Sequence, residues 1–152
     1  MKAMTSALII AACAFAPAWP QAASVLVPLA PAPGNSGSLG HATLSAAPEG
    51  TRIEVFFTAA GPQPTAPLHV YTYLYEGRCA ALPATPAYGL NRQVLVRTSR
   101  GDLATGRRGD FTLSHLAPLP LDQLTDGRFA LALRAAPADG GGLLYCGELK
   151  RA

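Results

Sequence analysis

Three histidines, three cysteines and five tyrosines are the side chains of this 152-residue sequence whose types invite chemistry. His41, His69 and His115 are the only imidazoles. Imidazole is both the commonest metal ligand and the side chain that titrates near neutral pH, but a metal site needs several donors at short spacing, and none of the three has a second histidine or a cysteine nearby. A nucleophilic set could be drawn from Ser114, His115 and Asp122. Neighbours on a strand point to opposite faces, so Ser114 and His115 are not expected to pair. There is no nucleophile elbow, no zinc-protease helix and no phosphate-cradling loop; Gly34-Asn35-Ser36-Gly37 and Gly140-Gly141-Gly142 open no helix and read as turns. His69 is therefore expected to be a half-exposed strand residue beside Tyr71, and His41 and His115 to be surface or strand-end residues.

The tyrosines carry more information. Leu68 to Glu76 alternates, with Leu68, Val70, Thr72 and Leu74 on one face and His69, Tyr71, Tyr73 and Tyr75 on the other. In Arg128 to Arg134, Phe129, Leu131 and Leu133 oppose Ala130, Ala132 and Arg134. The apolar faces are expected inside, which leaves His69, Tyr71, Tyr73, Tyr75 and Arg134 pointing outward. Such a row either covers a sheet, through cross-strand ring packing, or binds, since Tyr and Arg are favoured at recognition surfaces. These five residues are the candidate binding surface.

The elements that must position them follow from composition and punctuation. With 49% hydrophobic and 14% charged residues the chain is not disordered. Scattered breakers, 14 Pro and 15 Gly, exclude a helical bundle and a collagen-like repeat. Lys2, the apolar run Ala7 to Phe15 and a small-residue site at Ala16-Pro17-Ala18 or Gln21-Ala22-Ala23 read as a signal peptide over residues 1–23, cleaved near 18–23. The run is shorter than the ~20 residues that span a bilayer. Ile10-Ala11-Ala12-Cys13 resembles a lipobox, but the apolar sequence continues through Ala14, Phe15 and Ala16, which favours plain cleavage over a lipid anchor at Cys13. An exported chain, periplasmic or extracellular, then keeps Cys79 and Cys146, whose expected state is one disulfide worth about 4 kcal/mol by chain-entropy reasoning.

Residues 24–152 read as a single β domain. Its strands are Val25 to Leu29, Leu39 to Ala46, Thr51 to Thr58, Leu68 to Glu76, Gln93 to Thr98, Phe111 to Leu116, Arg128 to Arg134 and Leu143 to Leu149, with a helical turn near Pro120 to Leu124. Eight short strands with almost no helix predict an antiparallel Greek-key sandwich or barrel. Loss of Lys2 leaves 11 basic and 9 acidic residues. Arg92, Arg97, Arg100, Arg107 and Arg108 cluster in one stretch without the aromatic interleaving of a nucleic-acid module, so they read as a solvated hairpin.

Three fragments carry a resemblance. Tyr73-Leu74-Tyr75-Glu76-Gly77-Arg78-Cys79, then Leu121-Asp122-Gln123-Leu124 with Asp126-Gly127-Arg128-Phe129-Ala130-Leu131, then Tyr145-Cys146-Gly147-Glu148-Leu149 resemble, in that order, the copper/zinc superoxide dismutase-like fold and its CHRD relatives. Those families show His-x-His-x-Gly-x-Cys in the first fragment, a histidine after the second, and Cys-Gly-acid in the third. The resemblance covers roughly Gly37 to Lys150 and implies the eight-stranded fold and the Cys79–Cys146 bridge. It also places Tyr73, Tyr75 and Arg134 where copper-ligating histidines would stand. A phenol is a poor substitute for imidazole and a guanidinium cannot ligate, and the His-rich zinc loop has no counterpart in Ala80 to Leu90. The expectation is a non-catalytic binding or interaction module without a cofactor, whose partner is an envelope protein or a small ligand and not nucleic acid. The alternative is a copper- or zinc-dependent dismutase with unconventional ligands such as His69 and Tyr75. If the resemblance holds, Arg134 is expected to stack on Tyr73 and Tyr75 in the space of the lost metal.

Overall fold

The computed structural model describes residues 23–35, 37–58, 68–92, 94–97, 110–137 and 141–151. The leader with Cys13, and Arg100, Arg107 and Arg108, lie outside them. Ten strands and one helical turn follow in order: β1 Ser24–Pro28, β2 Ala30–Pro31, β3 Gly40–Ala47, β4 Gly50–Thr58, β5 Leu68–Glu76, β6 Tyr88–Gly89, β7 Leu95–Arg97, β8 Asp110–Ala117, α1 Leu121–Leu124, β9 Asp126–Ala135 and β10 Gly142–Lys150. Each of the eight expected strands has a counterpart, as does the helical turn; of Gln93 to Thr98, β7 covers Leu95–Arg97, and Gln93 and Thr98 lie outside the described residues. The two additions, β2 and β6, are two-residue strands in stretches that read as loop; both sit at a sheet edge, where one neighbour suffices to pair a short segment.

The strands form two antiparallel sheets. One has four strands in the order β1-β3-β4-β8, and the other has six, in the order β2-β10-β9-β5-β6 with β7 also on β5. Consecutive strands therefore change sheet repeatedly: β8 returns beside β4, and β9 beside β5. Period-two alternation fixes which side of each sheet faces the other. Val27, Leu44, Ile53, Val55 and Phe57 of the small sheet meet Val70, Leu74, Leu131, Leu133 and Leu149 of the large one, all essentially inaccessible to solvent. Phe57 stacks on Phe111 with centroids 5.0 Å apart and tilts against Tyr145 at 5.4 Å. The Tyr145 hydroxyl donates to the Thr58 carbonyl at 2.5 Å, tying the two sheets together. Burial pushes its pKa up.

Two local devices shape this sandwich. The chain passes from one sheet to the other within a single residue: β1 pairs with β3, β2 pairs with β10, and Leu29 between them is buried. At this crossing Pro28 and Leu29 lie so close to β10 that a Cβ on Gly147 would stand 2.5 Å from the Pro28 carbonyl oxygen and 2.6 Å from Leu29 Cδ2. Only glycine fits, which gives the Cys146-Gly147-Glu148 sequence a steric reason. The second device is a bulge in β10, where pairing with β9 slips between Leu143 and Tyr145. Leu144 and Tyr145 both enter the main core as a result, while Leu143 and Cys146 face outward.

Replacing Gly147 by Ala is expected to lower the unfolding free energy by about 1–3 kcal/mol, the usual range for overpacking. Urea unfolding should show an earlier midpoint with an unchanged slope; an unmoved midpoint would mean that the Leu29 crossing yields freely.

Candidate functional site

The outward face of the six-stranded sheet carries the tyrosine row. Across the strands Tyr71 pairs with Arg134, Tyr73 with Ala132 and Tyr75 with Ala130, and β10 adds Leu143 opposite Arg134 and Cys146 opposite Ala132. Successive rings line up along β5, with Tyr71 and Tyr73 nearly parallel at 6.4 Å and Tyr73 and Tyr75 tilted at 6.2 Å. Because Ala130 and Ala132 are small, the rings and the disulfide can settle over β9. The Cys79–Cys146 bridge is formed, with Cα atoms 5.8 Å apart. It pulls the segment after β5 back over the sheet, aided by Gly77 at φ +138° and its N–H bond to the Arg128 carbonyl, 2.8 Å. Tyr75, Ala130, Ala132 and Cys146 are buried together there, with Tyr73, Cys79, Leu82 and Leu143 packed partly against them.

This second core corrects two expectations. Tyr75 is 3% exposed and does not belong to an open surface; the segment bearing Cys79 and Leu82 covers it. Arg134 stands opposite Tyr71, two residues along the strand from Tyr73's partner Ala132, and not over Tyr73 and Tyr75. Among the described residues the cation-π contact is Arg128 over Phe129, at 5.6 Å. Of the five candidate residues, His69, Tyr71, Tyr73 and Arg134 remain half-exposed on this face, beside Leu143 and Glu148 of β10.

The three histidines lie on three different sides of the sandwich. His41 is on the outer face of the four-stranded sheet, against Phe56 at 5.1 Å. His69 is on the outer face of the six-stranded sheet, opposite Val96 of β7. His115 points between the sheets and is 6% exposed. Among the described residues no group of three His, Cys, Asp or Glu side chains could hold a metal ion. His69 and Tyr75 are also ill-placed to share one, since six residues of strand at ~3.3 Å each separate them by about 20 Å.

His115 corrects the expectation of a surface or strand-end residue. In β8, Phe111, Leu113, His115 and Ala117 are buried while Ser114 and Leu116 face out. The alternation that separates Ser114 from His115 thus carries the histidine inward. Its ring bonds the Leu90 backbone, but desolvation dominates and lowers its pKa to about 4. The imidazole is therefore neutral at neutral pH, and its Nε2 is buried without a hydrogen-bond partner. Leu90 is held in turn by its N–H bond to the Thr72 carbonyl, 2.9 Å, and the Asn91 side-chain oxygen accepts from the Thr72 N–H at 3.1 Å. Beside this seam between β6 and β8 runs a groove of about 870 Å³, walled by His115 together with Tyr88, Leu90 and Pro118 and bordered by Arg52, Arg92 and Glu49. Sequence reasoning missed this groove; the one available signal was the place of His115 in the apolar phase of β8.

The chain matches no family model, no curated protein and no solved structure.

Two outcomes are expected from these contacts. Replacing Cys79 and Cys146 together by Ala should lower stability by about 4 kcal/mol and open the outer core. Nitration mapped by mass spectrometry should then reach Tyr75, protected in the bridged protein, as readily as Tyr71; continued protection would show that packing alone holds the cover. The second concerns pH. Unfolded His115 takes up a proton near its ordinary pKa of 6.5, whereas the folded side chain resists until about 4, so the unfolded state binds more protons in that window and stability falls as pH drops through it, by about 3 kcal/mol in all. Asp126, held below its ordinary 3.8 by the Arg128 backbone and guanidinium N–H groups, contributes only at lower pH. Urea midpoints across the window should flatten in His115→Leu, and an equally steep profile in that variant would assign the effect elsewhere.

Proposed function

We propose that this chain is an exported, non-catalytic binding module built on a superoxide dismutase-like Greek key from which the metal ligands have been lost. The observation that carries this reading is the distribution of histidines, one on each outer face and one between the sheets. Metal chemistry of the copper/zinc type needs several imidazoles converging on one point. At the positions where the resembled families keep such ligands stand a half-buried Tyr73, a buried Tyr75 and an Arg134 in register with Tyr71.

The fold supports the family reading through its connections: β8 beside β4 and β9 beside β5 is the kind of return that defines a Greek key. The bridge between Cys79 and Cys146 supports it as well. A disulfide fits an oxidising compartment, periplasmic or extracellular, and no helix among the described residues is long and apolar enough to cross a membrane. The binding face consists of His69, Tyr71, Tyr73 and Arg134, with Tyr75 beneath as a rigid support. Rigid aromatic side chains beside an arginine suit recognition of an envelope protein or a small ligand, because they offer large contact area at low entropic cost.

Metal content tests the reading. Protein purified from the periplasm of cells grown with copper and zinc is expected to retain far less than one equivalent of either after dialysis, and to lack dismutase activity. Stoichiometric copper together with activity abolished by a chelator would overturn it.

A further inference from the structure

The groove along the seam between β6 and β8 lies apart from the tyrosine face and carries chemistry of its own. Three observations converge there. Its wall is largely apolar, through Tyr88, Leu90 and Pro118, and its volume of about 870 Å³ lies within the range of small-molecule sites. Its border is cationic on balance, with the exposed Arg52 and Arg92 against Glu49. Its wall also includes the His115 ring, whose Nε2 is itself closed off from solvent, so the polar lining that a ligand can reach is chiefly the arginine pair.

We propose that this groove binds a small amphipathic anion, an apolar, preferably aromatic, body bearing one acidic group. Arg52 and Arg92 receive the acidic group, and the Tyr88, Leu90 and Pro118 surfaces take the body.

Anilinonaphthalene sulfonate has both parts, an aromatic body and a sulfonate, and its fluorescence reports binding. Titration of the folded, disulfide-bonded protein at neutral pH should give one saturable site. The double variant Arg52→Ala with Arg92→Ala should weaken binding about tenfold or more, as loss of charge-assisted contacts does. Both side chains are exposed, and Arg92→Gln alone, in a turn, should act in the same direction. Tyr71→Ala, on the other face, should leave the affinity unchanged. Absence of a saturable site, indifference to the arginine variants, or a loss in Tyr71→Ala as large as theirs would each overturn the proposal. None of these outcomes bears on the metal content of the protein, so the two readings fail separately.

Discussion

The outer face of the six-stranded sheet depends on one covalent constraint. Cys79 and Cys146 join the segment after β5 to the strand two places away, and everything above Ala130 and Ala132 is arranged by that link. Without it Tyr75 would be a large aromatic ring on an open sheet; with it, Tyr75 is the floor of a second small core. The link itself depends on a backbone irregularity. Strict alternation from Leu143 would turn Cys146 into the sandwich and Tyr145 out of it, and the bulge at Leu144 exchanges the two. One extra residue therefore settles two contacts at once, the disulfide outside and the Tyr145 hydroxyl on Thr58 inside.

The two sides of the sheet divide the chemistry. Inside, aliphatic side chains and the Phe57, Phe111 and Tyr145 rings leave little polar, and the two described side chains with a buried unpartnered polar atom, Thr72 and His115, flank the same Leu90 segment. Here the regular ladder on β5 is interrupted between β6 and β7, and the Asn91 side chain takes up the Thr72 N–H in place of a strand partner. The other two buried polar side chains, Thr51 and Thr125, each donate to a backbone carbonyl, of Leu119 and of Leu121.

Much of the architecture was legible from alternation. The inward phase of Leu68, Val70, Thr72 and Leu74, and of Phe129, Leu131 and Leu133, is what the structure contains. The opposite faces of Ser114 and His115 also followed from period two, although the direction of His115 did not, because a histidine was weighed by its polarity and not by the phase of Phe111, Leu113 and Ala117. Burial of Tyr75 was illegible for a different reason: a segment distant from the tyrosine's own partners covers it, and no local pattern encodes that. The bulge was hidden as well, since Leu143-Leu144-Tyr145-Cys146 contains no glycine or proline to mark it. Arg134 was placed two residues off because a motif gives the order of residues along the chain, while cross-strand register decides which side chains meet.

The crossing at Leu29 has a consequence for the order in which the molecule can be made. β2 finds its partner in β10, and Asn35 donates to the Leu144 carbonyl across 109 residues of sequence. A chain is made from its N-terminal end, so β2 appears long before the strand that pairs with it. Closure of the larger sheet must wait for Tyr145 and Cys146 to emerge, and non-local pairing of this kind is slow. The early strands meanwhile present unpaired edges and the leucines destined for the core, the condition under which holding factors protect a chain.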